Sequence, residues 1–307
     1  MTGRYPRVVL GTVCVPWKDD GTVDEACFRR TVTNLVKAGL PDLYVFGTAG
    51  EGYAVSEADF RRIAVLFADT MREAGGAPPM VGVISQSLRT IIERIDFCRS
   101  AGITTFQISL PNWGALSDEG LQRFFAEVCG SFPDCKFLHY NLMRAGRLVR
   151  PREYAELARQ HPNLVATKHG GADMTQIVGL MAEAPELRHF LSEQGYYLAA
   201  PLGECALLAS LVPSNPKRAY EYLNAGIDGD LKRFADLHRE LSGILLALLG
   251  AVGLGHIDGA YDKVVHKIAE PDYPLTLLPP YEGASDEAYL RYKATLTEKY
   301  PQWLPSR

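Results

Sequence analysis

The run Leu164-Val165-Ala166-Thr167-Lys168-His169-Gly170-Gly171 is apolar and strand-like until it ends in a lysine, a histidine and two glycines. A lysine at the mouth of a buried strand is a candidate Schiff-base former. Burial disfavours the ammonium form and leaves a fraction of neutral amine to attack a carbonyl near neutral pH. The alternative is a lysine whose stem leaves the sheet and carries its charge into solvent. A second run, Lys136-Phe137-Leu138-His139-Tyr140-Asn141, places Tyr140 28 residues before Lys168, about one strand, loop and helix of a repeating β/α unit. Both side chains would then sit at the same ends of neighbouring parallel strands. A phenol there can pass protons to and from a carbinolamine and a carbanion-like intermediate. Read structurally, Tyr140 is a core tyrosine with a satisfied hydroxyl.

A third segment, Leu43-Tyr44-Val45-Phe46, runs into the turn Gly47-Thr48-Ala49-Gly50-Glu51-Gly52. Glycines let the backbone curl so that successive N–H groups point at one anion, and the Thr48 hydroxyl can join a proton relay.

Together the three segments resemble the pyruvate-dependent class I aldolases, the family that includes dihydrodipicolinate synthase and N-acetylneuraminate lyase. Gly47-Thr48-Ala49-Gly50-Glu51 is similar to that family's carboxylate loop, Tyr140-Asn141 to its Tyr-Asn pair and Lys168 to its Schiff-base lysine. Val15-Pro16-Trp17, followed by Asp20-Gly21 and Asp24, is similar to its opening motif, and the resemblance extends from about Val9 to about Gly283. It implies catalytic roles for Lys168, Tyr140 and Thr48, and a 2-oxo acid carboxylate held by backbone N–H groups around Gly47, Thr48 and Ala49. It implies no metal or organic cofactor, because the covalent lysine imine with substrate is itself the electron sink. It also implies a homo-oligomer, a tetramer or a dimer.

Several residues depart from the family pattern. Leu110-Pro111-Asn112-Trp113-Gly114 stands where the synthases carry Pro-Tyr-Tyr-Asn, and Trp113 takes the place of a tyrosine that relays protons across a subunit interface. An indole N–H donates a hydrogen bond but cannot pass a proton as a phenol does. Trp113 remains a substrate-binding candidate, one that could reach into a neighbour's site. Arg144 lies four residues after Tyr140, and its planar fork could bind a distal carboxylate or hydroxyl; a surface arginine is the other reading. Glu193, in Ser192-Glu193-Gln194-Gly195, replaces the residues that bind a sugar tail in sialic acid lyases. It is either a reader of a hydroxylated substrate, a second acid/base, or a salt-bridged or solvated loop residue. Cys205, at the eighth strand, completes the substrate-binding candidates.

The elements that must position these residues follow from the hydrophobic pattern. Strand-like runs at 8–15, 43–48, 79–84, 104–109, 136–141, 164–169, 189–192 and 205–208 alternate with helical patterns such as 24–38 and 56–73, each opened by a capping residue. Such alternation predicts a parallel sheet with right-handed crossovers, and eight units favour closure. The expected class is α/β, a (β/α)8 TIM barrel over residues 1–214 with a C-terminal helical extension over 215–307. Active sites of this fold collect at the C-terminal ends of the strands, where Thr48, Tyr140 and Lys168 fall. His169, next to Lys168, points to the opposite face of a regular strand.

Composition bounds the rest. The chain has 307 residues, 47% of them hydrophobic, and a formal net charge of −4, with no basic stripe of the kind a nucleic-acid surface needs. No apolar run reaches the roughly 18 residues of a membrane span, and the first residues lack a signal-peptide core, so a cytoplasmic protein is expected. The six cysteines are scattered and read as reduced thiols, and the seven histidines show no metal-ligand spacing. The leading expectation is a Schiff-base-forming lyase, aldolase or dehydratase, acting on pyruvate, a 2-oxo-3-deoxy sugar acid or a related 2-oxo acid. A divergent 4-hydroxy-tetrahydrodipicolinate synthase is the second, and a non-catalytic 2-oxo-acid-binding or regulatory barrel the third.

Overall fold

Eight short apolar runs form the strands: β1 Val9–Val13, β2 Leu43–Val45, β3 Met80–Gly82, β4 Thr105–Ile108, β5 Lys136–Asn141, β6 Leu164–His169, β7 Arg188–Leu191 and β8 Ala206–Leu208. In the computed structural model, which describes residues 3–171 and 173–305, every pairing is parallel and β1 joins both β2 and β8. The result is a closed barrel in chain order, as the alternation predicts. The ends of the expected spans, 1–2 and 306–307, lie outside the described residues.

The helices are α1 Glu25–Lys37, α2 Glu57–Ala74, α3 Leu88–Ser100, α4 Asp118–Phe125, α5 Pro151–Gln160, α6 Met174–Glu183 and α7 Glu193–Ala199, followed after β8 by α8 Pro216–Asp228, α9 Leu231–Val252, α10 Asp258–Ala269 and α11 Asp286–Lys299. Most begin where a short polar side chain accepts an otherwise orphaned backbone N–H: Asp24, Ser56, Ser87, Ser117, Asp173 and Ser192 each cap the helix that follows. Their apolar faces pack on the outside of the barrel, where Phe28, Phe60, Phe67, Ile91 and Leu180 belong to one continuous core.

A second, smaller core fills the barrel itself, with Leu10, Tyr44, Met80, Leu138, Ala166, Phe190 and Ala206 stacked above Tyr5. Side chains alternate along each strand, so Ala166 and Lys168 of β6 point inward while Thr167 and His169 point to the helices. Packing below Lys168 is apolar, which sets the electrostatics of the open end.

Candidate active site

Lys168 is 3% exposed and stands in register with Tyr140 on the neighbouring strand. Its Nζ donates to the Tyr44 hydroxyl at 2.8 Å and to Gln107 Oε1 at 3.4 Å, and it lies 3.8 Å from the centre of the Tyr140 ring. Burial pushes the amine down to about 7, opposed by the negative fields of Asp258 and Asp262. An amine so placed is part neutral at neutral pH, which is the condition for attack on a ketone. Tyr44 and Gln107 lie inside β2 and β4, where apolar neighbours hid them from sequence reasoning. The signal was their polarity alone in otherwise apolar strands.

Tyr140 is buried, and the nearby Thr48 side chain partly offsets the effect of that burial on its phenol. Burial holds both the Tyr140 and Tyr44 phenols well above the usual tyrosine range, so each rests neutral and can act as a donor. Thr48 follows β2 in a turn that requires its glycines. A Cβ on Gly47 would meet Tyr44 Cε2 at 2.5 Å, and one on Gly50 would meet the Phe46 backbone nitrogen at 2.8 Å. Phe46 itself adopts φ 64°, a left-handed conformation costly for an aromatic residue, and turns its carbonyl onto Gly82, where a Cβ would lie 2.1 Å away. The turn sets Ala49 at the wall of one cavity with Lys168, Tyr44 and Tyr140.

The turn is anchored from beneath. Glu51, at φ 57° and fully buried, accepts from Trp17 Nε1 at 2.9 Å, from Lys263 Nζ at 2.6 Å and from the backbone N–H of Leu278 at 2.7 Å. The carboxylate is therefore satisfied on both oxygens, the requirement for burying an ion pair at all. Two of these three partners come from the C-terminal part of the chain.

Two cavities open at the C-terminal end of the barrel. The inner one, 370 Å³, is lined by Lys168, Tyr44, Tyr140, Ala49, Glu193, Asp258 and Asp262 among others. The outer one, 600 Å³, is lined by Thr48, Tyr53, Arg94, Asn112 and Arg144 among others. Arg144 Nη2 meets Asp258 Oδ1 at 2.9 Å, so an ion pair stands between the two. Asp258 and Asp262 lie one turn apart on α10, and burial holds the Asp262 carboxyl well above the carboxylate range, with Asp258 adding to the effect. Sequence reasoning missed both, although Asp258 and Asp262 at i, i+4 in a largely buried helix were a visible signal.

The structure brings Lys168, Tyr140, Thr48, Gly47, Ala49, Arg144 and Glu193 to one end of the barrel. Glu193 is not a solvated loop residue: it is 4% exposed, accepts from the Ser210 backbone N–H at 3.1 Å, and its carboxyl is raised by burial. Trp113 stands apart, 89% exposed on the loop after β4. The expectation for Cys205 needs correction. It precedes β8, at the N-terminal end of the barrel, with its carbonyl bound by Arg7 Nε at 2.8 Å and its thiol raised by burial to about 12. The β8 residues that reach the inner cavity are at the other end, Leu208 and its successors Ala209 and Ser210. His169 sits on the outward face as expected, bonded to Thr167 Oγ1 at 2.9 Å.

Comparison with known proteins agrees with this geometry. The chain is 30% identical over 226 residues to a 4-hydroxy-tetrahydrodipicolinate synthase of Thermus thermophilus, covering 72% of this chain and 74% of that one. It is 26% identical over 296 residues to the synthase of that name from Methanothrix thermoacetophila, covering 95% and 96%. Among solved structures it superposes on YagE, a prophage protein of Escherichia coli K12 in complex with pyruvate, with a TM-score of 0.86 at 19% identity over 95% of this chain and 98% of that one. Residues 6–299 match the dihydrodipicolinate synthetase family, to which this chain belongs as an enzyme of the Schiff-base lyase class.

Proposed function

We propose that this protein forms an imine between Lys168 and a 2-oxo acid, pyruvate or a 2-oxo-3-deoxy sugar acid, and uses it for aldol cleavage, condensation or dehydration. The neutral amine attacks the ketone carbon, the former carbonyl oxygen leaves as water, and the protonated imine draws electrons from the bond to be broken. Tyr140, near Thr48, carries the proton to and from the departing oxygen. The Gly47–Ala49 backbone holds the substrate carboxylate, and the lysine imine makes a metal or organic cofactor unnecessary.

The observation that carries the reading is a buried lysine brought down to about 7 beside a neutral phenol. Incubation with pyruvate and borohydride should add one reduced pyruvyl group, mapped to the Lys168 peptide, and Lys168→Ala should take none. Folded wild-type protein that traps no 2-oxo acid would sink the proposal. A second reading, a 4-hydroxy-tetrahydrodipicolinate synthase, is favoured by the relatives of that name. It calls for turnover with an amino aldehyde and pyruvate. Trp113 and Met143, 89% and 76% exposed on loops whose neighbours line the outer cavity, support a homo-oligomer in which they are covered.

A further inference from the structure

Beyond the 2-oxo acid end, the substrate must place its tail between the inner cavity and the outer one. We infer that the Arg144–Asp258 ion pair sets the charge of that tail, so that the site takes an uncharged, hydroxyl-bearing tail and rejects a second carboxylate or phosphate. The inference rests on the Schiff-base reading and deepens it.

Three observations converge. First, both arginines lining the outer cavity are already engaged. Arg144 is held by Asp258 at 2.9 Å. Arg94 gives Nε and Nη2 to Glu57 at 3.0 and 2.6 Å and Nη1 to the carbonyls of Gly52 and Ile84, and its plane lies 4.4 Å over Phe60. Arg94 has no donor left to offer, and the charge of Arg144, which gives one donor to Asp258, is already compensated by a carboxylate. Second, the inner cavity sets three carboxyl side chains, Asp258, Asp262 and Glu193, against the single amine of Lys168. A substrate bringing one carboxylate to the Gly47–Ala49 turn leaves a second anion no unpaired cation in this cavity, because Lys168 is committed to the imine, while Asp262 and Glu193, whose uncharged forms burial favours, can offer a substrate hydroxyl a hydrogen bond. Leaving a competitor's charge unpaired is how a site discriminates against one that fits by shape.

Third, the outer wall offers neutral hydrogen-bonding groups: Ser85, Gln86, Ser109 and Asn112 line it with Tyr53. The Tyr53 hydroxyl is buried and has no hydrogen-bond partner, an expense that a substrate hydroxyl would remove. His256 also lines this wall.

Matched 2-oxo acids decide the matter through the rate at which borohydride traps each on the enzyme, read by intact mass. The pairs are 2-oxovalerate against 2-oxoglutarate, and 2-oxo-3-deoxygluconate against its 6-phosphate. In wild-type protein the neutral member should be trapped about tenfold faster or more, and Asp258→Asn, which frees Arg144, should narrow that gap several-fold. Tyr53→Phe should slow trapping of the hydroxylated neutral acid and leave 2-oxovalerate unchanged. If pyruvate forms its adduct but anionic and neutral tails are trapped alike, the charge assignment falls while the Schiff base stands. A gap that Asp258→Asn leaves intact also overturns it, because the ion pair is then not its source. No adduct with any 2-oxo acid removes both readings. The wild-type ratios alone remain decisive if Asp258→Asn does not fold.

Discussion

At the scale of the residue, the proposed chemistry depends on two groups whose charge states burial has moved in opposite directions. Lys168 loses its proton more readily than an ordinary lysine, while Tyr140 holds its proton more firmly than an ordinary tyrosine. The pair can therefore coexist at neutral pH as amine and phenol, nucleophile and acid. Tyr140→Phe keeps the ring 3.8 Å from Nζ and removes only the hydroxyl. Turnover of the best substrate should fall by about 10²–10⁴-fold while pyruvate can still be trapped on Lys168, a split that steady-state kinetics beside intact-mass trapping will show. Lys168, Tyr140 and Thr48 could be singled out in the sequence as candidates because each interrupts an apolar run at its C-terminal end. Tyr44 and Gln107 could not, since a polar side chain inside a strand reads like any core position until the barrel closes around it. Cys205 was misplaced for a related reason: the pattern located β8 to within a residue, but only the ladder shows that Cys205 lies before it, at the wrong end for chemistry.

At the scale of the element, β5, β6 and β7 show two faces with opposed tasks. Their inward face presents Tyr140 and Lys168, and their outward face carries two buried hydrogen-bonded sets, His139 with Tyr154 and Thr167 with His169 and His189. Alternation along the strand made the two-sidedness of Lys168 and His169 predictable; the pairing of three histidines on adjacent strands required the register. Burial pushes His139 down to about 3 and His189 to about 4, so both are neutral in the fold while the unfolded chain binds protons from about pH 6.5 downward. More protons on the unfolded state mean stability lost as pH falls from about 6.5 toward 4. His139→Asn retains a hydrogen-bonding atom near Tyr154 and removes one such proton. Its unfolding free energy, from urea titrations at several pH values, should fall less steeply over that window, by about 1.4 kcal/mol for each pH unit. An unchanged slope would show that His139 titrates alike in both states.

At the scale of the whole molecule, the part of the chain after β8 completes the site. α10 supplies Asp258 and Asp262 to the inner cavity and Lys263 to the buried Glu51 beneath the turn, and Leu278 satisfies the other Glu51 oxygen. The Glu51 contacts span more than 200 residues of chain, which is why the sequence revealed a helical extension but not that it walls the candidate site. A chain ending at Ser214 would leave Glu51 with Trp17 as its one remaining partner of the three and would strip from the core Tyr222, Leu237, Leu248 and Val264, which are packed in it. Apolar burial lost on that scale removes a large share of a domain's stability. The truncated chain should therefore lack a cooperative thermal transition by circular dichroism, whereas a barrel independent of its extension would retain one.

The central claim is that Lys168 is a Schiff-base lysine because burial has made it a near-neutral amine. Its most direct test is the rate of borohydride trapping of pyruvate across a pH series, with the adduct mapped by peptide mass. The account predicts a single adduct on Lys168 whose rate rises with pH and levels off around an apparent pKa of about 7. Trapping that begins only near the range of an ordinary lysine, or an adduct on another residue, would contradict it.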